Sequence, residues 1–423
     1  MMKIPSFYFG TRKKVMEKAS IYQEKEEFKE AHWVLKNANA GKPYEFSFEM
    51  ADFPNIRIKN IGNLAETGLT FENNRISGTA MTNNLYHLDL EFFHTEDQGT
   101  IDYKRVQLLV NVDPKDLWKN IPSDKTADFY KEDEVFLKGK FLDKKIVVVS
   151  KRGRSHAHEG KFREDDFAVN ELPADWNIIS VSDGAGSAKA AREGSRIATI
   201  SINSFFSSPG ILDKIERNIQ LIYSSEHSET VRNECGQNVI SLLYDGVLSV
   251  HNTLEKKAIE NNFSINDLHA TLIFALVKKF SFGYVILTFG VGDCPINLIN
   301  PDFSKVQLLN PMDVGEFSGG TRFITMKEIF NDHIASRFRI TCVNNFSHLV
   351  LMTDGIYDPK FLTENKLENT ESWTTFFNDL NGDNEDHAKV DFINDAEIDH
   401  QLLNWTDFWS RGNHDDRTLA IIY

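Results

Sequence analysis

The sequence predicts an α+β protein in which a small all-β module precedes a larger domain of sheets covered by helices. Between residues 41 and 113, short segments alternate apolar and polar residues, and Gly, Asn and Pro separate them, as expected for an antiparallel sandwich. Between residues 144 and 423, most connections between strand-like runs are too short for helical crossovers, which favours antiparallel pairing. Two long helical stretches lie between those runs, an order that suits helices covering sheets.

Changes of composition divide the chain into four segments. Residues 1–40 form an N-terminal helical segment, because residues 12–38 lack Gly and Pro and carry apolar residues at helical spacing. Residues 41–113 are the all-β module, and residues 114–143 are a charged, broken linker or small docking element. Residues 144–423 are the main domain, which begins with a run of β-branched residues.

One stretch of the all-β module resembles the immunoglobulin-like or cadherin-like modules of bacteria. Those modules carry a Gly-Leu-Ser/Thr-Phe stretch and then Ile-Ser-Gly-Thr-Pro before an alternating strand. Residues 68–71 and 76–79 fit this pattern, and Ala80 stands where the pattern has Pro. The resemblance implies an immunoglobulin-like sandwich that serves spacing or protein contact.

Composition excludes several classes of protein. The 423 residues carry a formal charge of −15, which argues against nucleic acid as a main partner, because phosphate backbones require a basic surface. The three Cys residues are too few for a disulfide framework or for a thiolate zinc site on their own, and they indicate a reducing compartment. No apolar run has the length of a signal peptide or of a membrane span. We therefore expect a cytoplasmic protein with no membrane partner.

Acidic residues recur where apolar strands of the main domain end. They occur in residues 162–169, 178–187, 349–358 and 412–423, and a fifth such segment is 287–298. Strand ends of one sheet converge at one edge, and carboxylates gathered there repel each other unless a divalent cation lies between them. Because no set of His or Cys accompanies them, oxygen ligation of Mg²⁺ or Mn²⁺ is favoured over Zn²⁺.

The glycines that follow two of these aspartates have a physical reason to be there. In Asp183-Gly184 and Asp354-Gly355, the missing side chain lets the backbone approach an ion and its waters. A simple Asp-Gly turn is the alternative explanation for either pair.

In this order, the motifs resemble the metal-dependent protein phosphatases of the PPM or type 2C family, bacterial branch, from Val147 to Tyr423. The family motifs have counterparts here in Asp165-Asp166, Asp183-Gly184-Ala185-Gly186, Ala270-Thr271, Gly292-Asp293-Cys294, Thr353-Asp354-Gly355 and Asp415-Asp416-Arg417-Thr418. A helix rich in small residues should follow the second motif, and the sequence after Gly186 fits it. The resemblance implies a four-layer α-β-β-α sandwich.

The resemblance also implies a protein serine/threonine phosphatase with two Mg²⁺ or Mn²⁺ ions. A hydroxide that bridges the ions would attack phosphorus in line. By this resemblance, Asp183 would bridge both ions, and the Gly184 carbonyl would assist on one of them. Asp354 and Asp415, which is preferred over Asp416, would complete the ligands of the other ion. Asp166 would hold water near the metals with help from Asp165, and Asp293 would either support the site or hold a third ion.

Two departures from the family pattern affect the groups around the metals. Many members have a His general acid where this chain has Ala185, so water, His156 or His158 would protonate the leaving group. For His156, a hydrogen bond that orders the loop is the alternative role. At the position of the family's phosphate-binding Arg the chain has Lys161, and the nearby substitutes are Arg163 and Arg154.

The expected partners are a phosphorylated protein substrate and a cognate Ser/Thr kinase system. A catalytically weak phosphatase-like scaffold and a hydrolase of a small phosphoester remain alternatives. Residues 308–341 correspond to a family region that often forms a flap for substrate choice, and residues 360–412 are expected to be an acidic, exposed insertion.

Overall fold

The computed structural model describes residues 7–423 except 32, 225–227, 314–319, 332 and 411, and it leaves the side chains of residues 7–17, 114 and 115 undescribed. The chain forms two compact units, residues 1–118 and 119–423. In the described part of the chain, no helix is both long and apolar enough to cross a membrane.

Helices and strands alternate irregularly along the chain. The helices are α1 (Phe7–Glu30), α2 (Arg154–Glu159), α3 (Ala191–Phe206), α4 (Ile211–Tyr223), α5 (Glu229–Glu260), α6 (Asp354–Phe361), α7 (Thr370–Leu380) and α8 (Ile398–Trp405). The strands of the first unit are β1 (Ala38–Asn39), β2 (Pro43–Ser47), β3 (Ile56–Gly62), β4 (Leu69–Glu72), β5 (Arg75–Thr79), β6 (Asn84–His94) and β7 (Asp97–Asn111). Those of the second unit are β8 (Glu134–Phe141), β9 (Lys144–Lys151), β10 (Asp166–Leu172), β11 (Trp176–Ser182), β12 (Leu272–Phe280), β13 (Gly283–Val291), β14 (Ile296–Ile299), β15 (Val306–Leu308), β16 (Phe338–Val343), β17 (His348–Met352) and β18 (Arg417–Ile422).

The first unit contains two small sheets that share one core with the end of α1. The four-stranded sheet has the order β1-β7-β6-β3, and the three-stranded sheet has the order β2-β5-β4. Phe28 of α1 lies fully buried in that core. The helix ends at Glu30, before the predicted residue 38, and Lys104 of β7 donates hydrogen bonds to the carbonyls of Lys29 and Ala31 there.

The second unit contains two larger sheets with antiparallel pairing throughout, as predicted. The five-stranded sheet has the order β10-β11-β12-β13-β16, and the six-stranded sheet has the order β15-β14-β17-β18-β9-β8. Neighbouring residues of β13 lie in different cores: Leu287 packs in the core that contains residues of α3, α4 and α5. Ile286 packs in the core that joins both sheets. A third core combines the six-stranded sheet with Trp373 of α7 and Trp405 of α8.

Two predicted segments need correction. Residues 134–141, assigned to the linker, form β8, which pairs with β9 along its whole length. Most β8 side chains are exposed, so this edge strand lacks the apolar pattern of a buried one. Residues 360–412, expected to be an exposed insertion, contribute the buried Trp373 and Trp405.

Candidate active site

The predicted aspartates lie where strands of both large sheets begin or end. Asp183 follows β11, Asp293 comes two residues after β13, and Asp354 comes two residues after β17. Asp165 and Asp166 stand at the start of β10, and Asp415 and Asp416 precede β18. The antiparallel order brings these ends together at one edge of the unit.

Electrostatics shows which carboxylates are close to one another. Burial, followed by repulsion from Asp354, Asp165 and Asp415, raises the pKa of Asp183 well above its usual value. Burial and the charge of Asp415 likewise raise the pKa of Asp354. We call Asp165, Asp183, Asp354 and Asp415 the acidic cluster, because the charges of the other three raise the pKa of Asp183.

Asp165 is held from two sides. Its Oδ2 accepts hydrogen bonds from Thr353 Oγ1 at 2.8 Å and from Thr418 Oγ1 at 2.6 Å. Its Oδ1 is buried and has no hydrogen-bond partner among the residues that the structure describes. Burial and the charge of Asp416 raise the pKa of Asp165 to about 7, although both threonine hydrogen bonds lower it. This carboxylate therefore offers one free oxygen to a ligand.

Asp166 is not brought into the acidic cluster. Its Oδ2 lies 2.9 Å from Nζ of Lys131, with which it forms an ion pair. The structure therefore places Asp165, and not Asp166, in the cluster, whereas the prediction gave Asp166 the main role and Asp165 an assisting one. Adjacent residues of an extended chain point in opposite directions, so only one of the two carboxylates can face the cluster.

Asp183 and Gly184 are held against neighbouring segments. The Asp183 amide donates to Thr271 Oγ1 at 2.8 Å, and the Thr271 amide donates to the Asp183 carbonyl at 2.8 Å. A Cβ on Gly184 would lie 2.8 Å from the Glu164 carbonyl oxygen, and a Cβ on Gly355 would lie 1.9 Å from that of Asp416. Both glycines are thus required by close packing of the segments that carry the acids.

His156 is buried among three acidic side chains. Its Nδ1 lies 2.9 Å from Asp416 Oδ1 and 3.8 Å from Asp415 Oδ1, and its Nε2 lies 3.7 Å from Glu164 Oε2. Burial alone would lower the pKa of His156, but the charge of Asp416 and the hydrogen bond to it, with the other two charges, raise it to about 9. His156 is therefore a cation at neutral pH, and its hydrogen bond orders the loop.

Asp416 and Glu164 are two residues of the site that the sequence analysis did not assign. Asp416 accepts hydrogen bonds from the backbone amides of Gly153 and Glu164 as well as from His156. Burial raises the pKa of Glu164 to about 7. The sequence signal that could have identified Glu164 and Asp416 is that each directly adjoins a predicted site residue, Asp165 or Asp415.

Asp293 lies beside Asp183 and Cys294. One ligand atom from each of the three residues falls within 4.8 Å of the others. Thr321 Oγ1, from the predicted flap, donates to Asp293 Oδ2 at 2.8 Å, and Asp293 Oδ1 is buried without a hydrogen-bond partner in the described structure. Burial raises the pKa of Asp293. This arrangement is compatible with either role predicted for Asp293.

The basic residues suggested for phosphate binding are mostly engaged elsewhere. Arg163 is buried and donates to Ser150 Oγ and to the carbonyls of Glu132 and Asp165, contacts that do not support its predicted catalytic role. Arg154 donates to the Asp407 carbonyl at 2.6 Å, and its guanidinium lies over the ring of Trp409. Lys161 is exposed and pairs with Glu159 at 2.7 Å. His158 Nδ1 accepts from the Lys119 amide at 3.0 Å.

The acidic cluster fits a divalent cation. Its donors are carboxylate oxygens, which suit Mg²⁺ and Mn²⁺, and buried oxygens of Asp165, Asp293 and Glu164 have no hydrogen-bond partner within the described residues. Carboxylates that raise each other's pKa are stabilised when a cation separates them.

The chain is similar to known phosphatases. The family described as protein phosphatase 2C matches residues 152–401, more than half of the chain. The solved structures that match include serine/threonine phosphatase Stp1 from Staphylococcus aureus, with 16% identity, 67% of this chain and 95% of that chain covered, and a TM-score of 0.39. Serine-threonine phosphatase 2C from Toxoplasma gondii matches with 13% identity, 68% and 98% coverage, and a TM-score of 0.40. No curated protein sequence matches the chain.

Proposed function

The chain belongs to the protein phosphatase 2C family, and on this premise we propose that it hydrolyses phosphoserine and phosphothreonine in proteins with the help of two Mg²⁺ or Mn²⁺ ions. The observation that carries the proposal is the convergence of Asp165, Asp183, Asp354 and Asp415 from distant parts of the chain into one cluster, in which Asp165 is buried and the other three are half-buried. Buried carboxylates that repel each other are costly, and divalent cations remove that cost.

The residues divide into ligands and supports. Asp183, the Gly184 carbonyl, Asp354, Asp415 and Asp165 would hold the ions. Bound there, the ions would lower the pKa of water and neutralise charge on the phosphate oxygens. Thr353 and Thr418 fix the orientation of Asp165 through its Oδ2.

His156 offsets part of the negative charge. Because Asp416 engages its Nδ1 and the ring is buried, we assign His156 to charge compensation, and water supplies the proton to the leaving group. Lys161 is an exposed cation whose charge acts on Glu164, and we assign it to attracting the phosphate group.

The finer features of the prediction belong to the same proposal. The cores of the second unit support a four-layer α-β-β-α arrangement, and the two small sheets of the first unit support an immunoglobulin-like module for spacing or targeting. We propose a cytoplasmic enzyme that opposes a Ser/Thr kinase. Of the two alternative functions, a hydrolase of a small phosphoester would use the same acidic cluster, and a phosphatase-like scaffold would have the cluster but catalyse no hydrolysis.

The test compares turnover of p-nitrophenyl phosphate and of a phosphothreonine peptide with Mn²⁺ and with EDTA. We expect turnover of both substrates with Mn²⁺, none with EDTA, and none in Asp183→Asn. Asp302→Asn, in an exposed turn, is the matched control and should equal the wild type. Turnover of the small ester alone would favour the small-phosphoester reading, and unchanged turnover in Asp183→Asn would refute the proposed site.

A further inference from the structure

Residues 119–133, which we call the strap, precede β8 and lie outside the residues 152–401 that match the family. The strap is hydrogen-bonded to α2, which precedes the first acidic motif, and to α3, which follows the second. The Ile121 amide donates to the Ala157 carbonyl at 2.9 Å, and Arg192 of α3 donates to the carbonyls of Asp128 and Phe129 at 2.8 and 2.9 Å. The strap is therefore packed as part of the second unit, which carries the candidate active site.

Lys131 is the strap's deepest link to the acidic cluster. Its Nζ donates to the Asp165 carbonyl at 2.8 Å and to Ser195 Oγ at 3.1 Å, and it pairs with Asp166 at 2.9 Å. Three oxygens match the three hydrogens of an ammonium group. The side chain is only 8% exposed, so this geometry is what compensates its loss of hydration.

The strap's buried side chains are unusual for a segment that only docks. They are Lys131 and Ser123, both polar. An apolar anchor would bind the strap without the desolvation cost of a charge, and replacing buried ion pairs by apolar residues is often neutral or stabilising. We therefore expect Lys131 to do more than attach the strap to the rest of the unit.

The contact with the Asp165 carbonyl supplies that role. Arg163 Nη1 donates to the same carbonyl at 2.6 Å, so two cations hold the peptide group of Asp165, while Thr353 and Thr418 hold its carboxylate. With both ends of the residue held, Oδ1 is left without a hydrogen-bond partner in the described residues.

We propose that Lys131 is a positioning residue, which holds the Asp165 peptide so that the free carboxylate oxygen stands ready for a divalent ion. The proposal rests on the proposed function of this site. It gives residues 119–133 a part in metal binding, although they precede the family's motifs.

The effect of Lys131→Met on Mn²⁺ binding distinguishes a role of the lysine charge from a role in positioning Asp165, because the two predict opposite changes in affinity. Removing a cation beside an anionic site would tighten Mn²⁺ binding, whereas releasing Asp165 would weaken it. We expect a weakening of about tenfold or more, the usual cost of losing a residue that supports a metal ligand. Lys125→Met is the matched control, because it removes an exposed cation of the strap, which lies over the Tyr130 ring, and leaves Lys131 with its three contacts. It should bind Mn²⁺ like the wild type.

The experiment is calorimetric Mn²⁺ titration of the full-length wild type, Lys131→Met, Asp165→Asn, the double variant and Lys125→Met, with a melting curve for each. If Lys131 acts through Asp165, Lys131→Met has no further effect in the Asp165→Asn background. Should Lys131→Met not fold, Lys131→Gln replaces it, with a smaller weakening expected. Binding as tight as or tighter than the wild type's, in whichever variant folds, would overturn the proposal. A wild type that binds no Mn²⁺ would instead refute the proposed function itself.

Discussion

Asp416 Oδ1 accepts a hydrogen bond from His156 Nδ1 at 2.9 Å, and this pair joins three segments of the site. Asp416 precedes β18, and its two oxygens also accept from the amides of Gly153 and Glu164. Burial would raise the pKa of Asp416, but the charge of His156 and these hydrogen bonds lower it. The pair therefore fixes the chain beside Asp415 and Asp165 as a charged unit.

Asp416→Asn should be destabilising even though Asp and Asn have the same shape. Both carboxylate oxygens accept hydrogen bonds, so the amide nitrogen of Asn must face a donor. A buried group left unpaired costs about 1–3 kcal/mol. We expect a loss of this size in the free energy of urea unfolding, and none in the exposed control Asp302→Asn. Equal stability of Asp416→Asn and the wild type would show that the three hydrogen bonds contribute nothing.

His156 should make stability depend on alkaline pH. Its pKa of about 9 in the folded protein exceeds the usual value of 6.5, so the folded state binds the proton more tightly. Its stabilising contribution is then complete below about pH 6.5 and is lost as pH rises through about 9, up to about 3 kcal/mol.

The measurement is urea unfolding in EDTA between pH 6 and 10, for the wild type and His156→Gln. The difference between the two proteins isolates this residue from the other groups that titrate. We expect that difference to shrink as pH rises. A difference independent of pH would contradict the ion pair.

Asp165→Asn and Asp166→Asn should separate the two neighbouring carboxylates. The Asn amide nitrogen at 165 would take the place of the free oxygen, so we expect kcat to fall by about 100-fold. Asp166 contacts Lys131 outside the acidic cluster, and its variant should keep kcat within about threefold of the wild type. Steady-state kinetics at saturating Mn²⁺ checks this, and the reverse order would restore Asp166 to the main role.

Gly355→Ala should disrupt the site through its packing. The added Cβ would lie 1.9 Å from the Asp416 carbonyl oxygen, so the segment with Asp415 and Asp416 must move. We expect a lower Tm and loss of turnover. Gly236→Ala in α5 is the control, since its Cβ meets nothing within 4 Å, and it should keep activity and gain up to about 1 kcal/mol of stability. An active, equally stable Gly355→Ala protein would contradict the packing described.

The sequence was sufficient where a motif follows an apolar strand. Asp183 and Asp354 each stand in such a motif, and the structure places them in the same cluster. It was insufficient for Asp165 and Asp166, because the facing carboxylate depends on the direction of each side chain where β10 begins.

Other errors arose because the sequence shows which residues are charged but does not show what they contact in the fold. The lysine-rich β8 and the strap looked like a linker, since an exposed edge strand and a polar anchor have no apolar pattern. Residues 360–412 looked exposed because they are acidic, although Trp373 and Trp405 pack in a core. Arg163 looked like a phosphate ligand, and only the fold shows its buried partners.

The most direct test of the central claim is the number of Mn²⁺ ions bound by the metal-free protein, measured by calorimetric titration of the wild type and Asp183→Asn. The account predicts two ions per wild-type chain and strongly weakened binding in Asp183→Asn, whose melting curve should remain cooperative. A wild type that binds no Mn²⁺, or an Asp183→Asn protein that binds it as the wild type does, would contradict the assignment of the acidic cluster as the metal site.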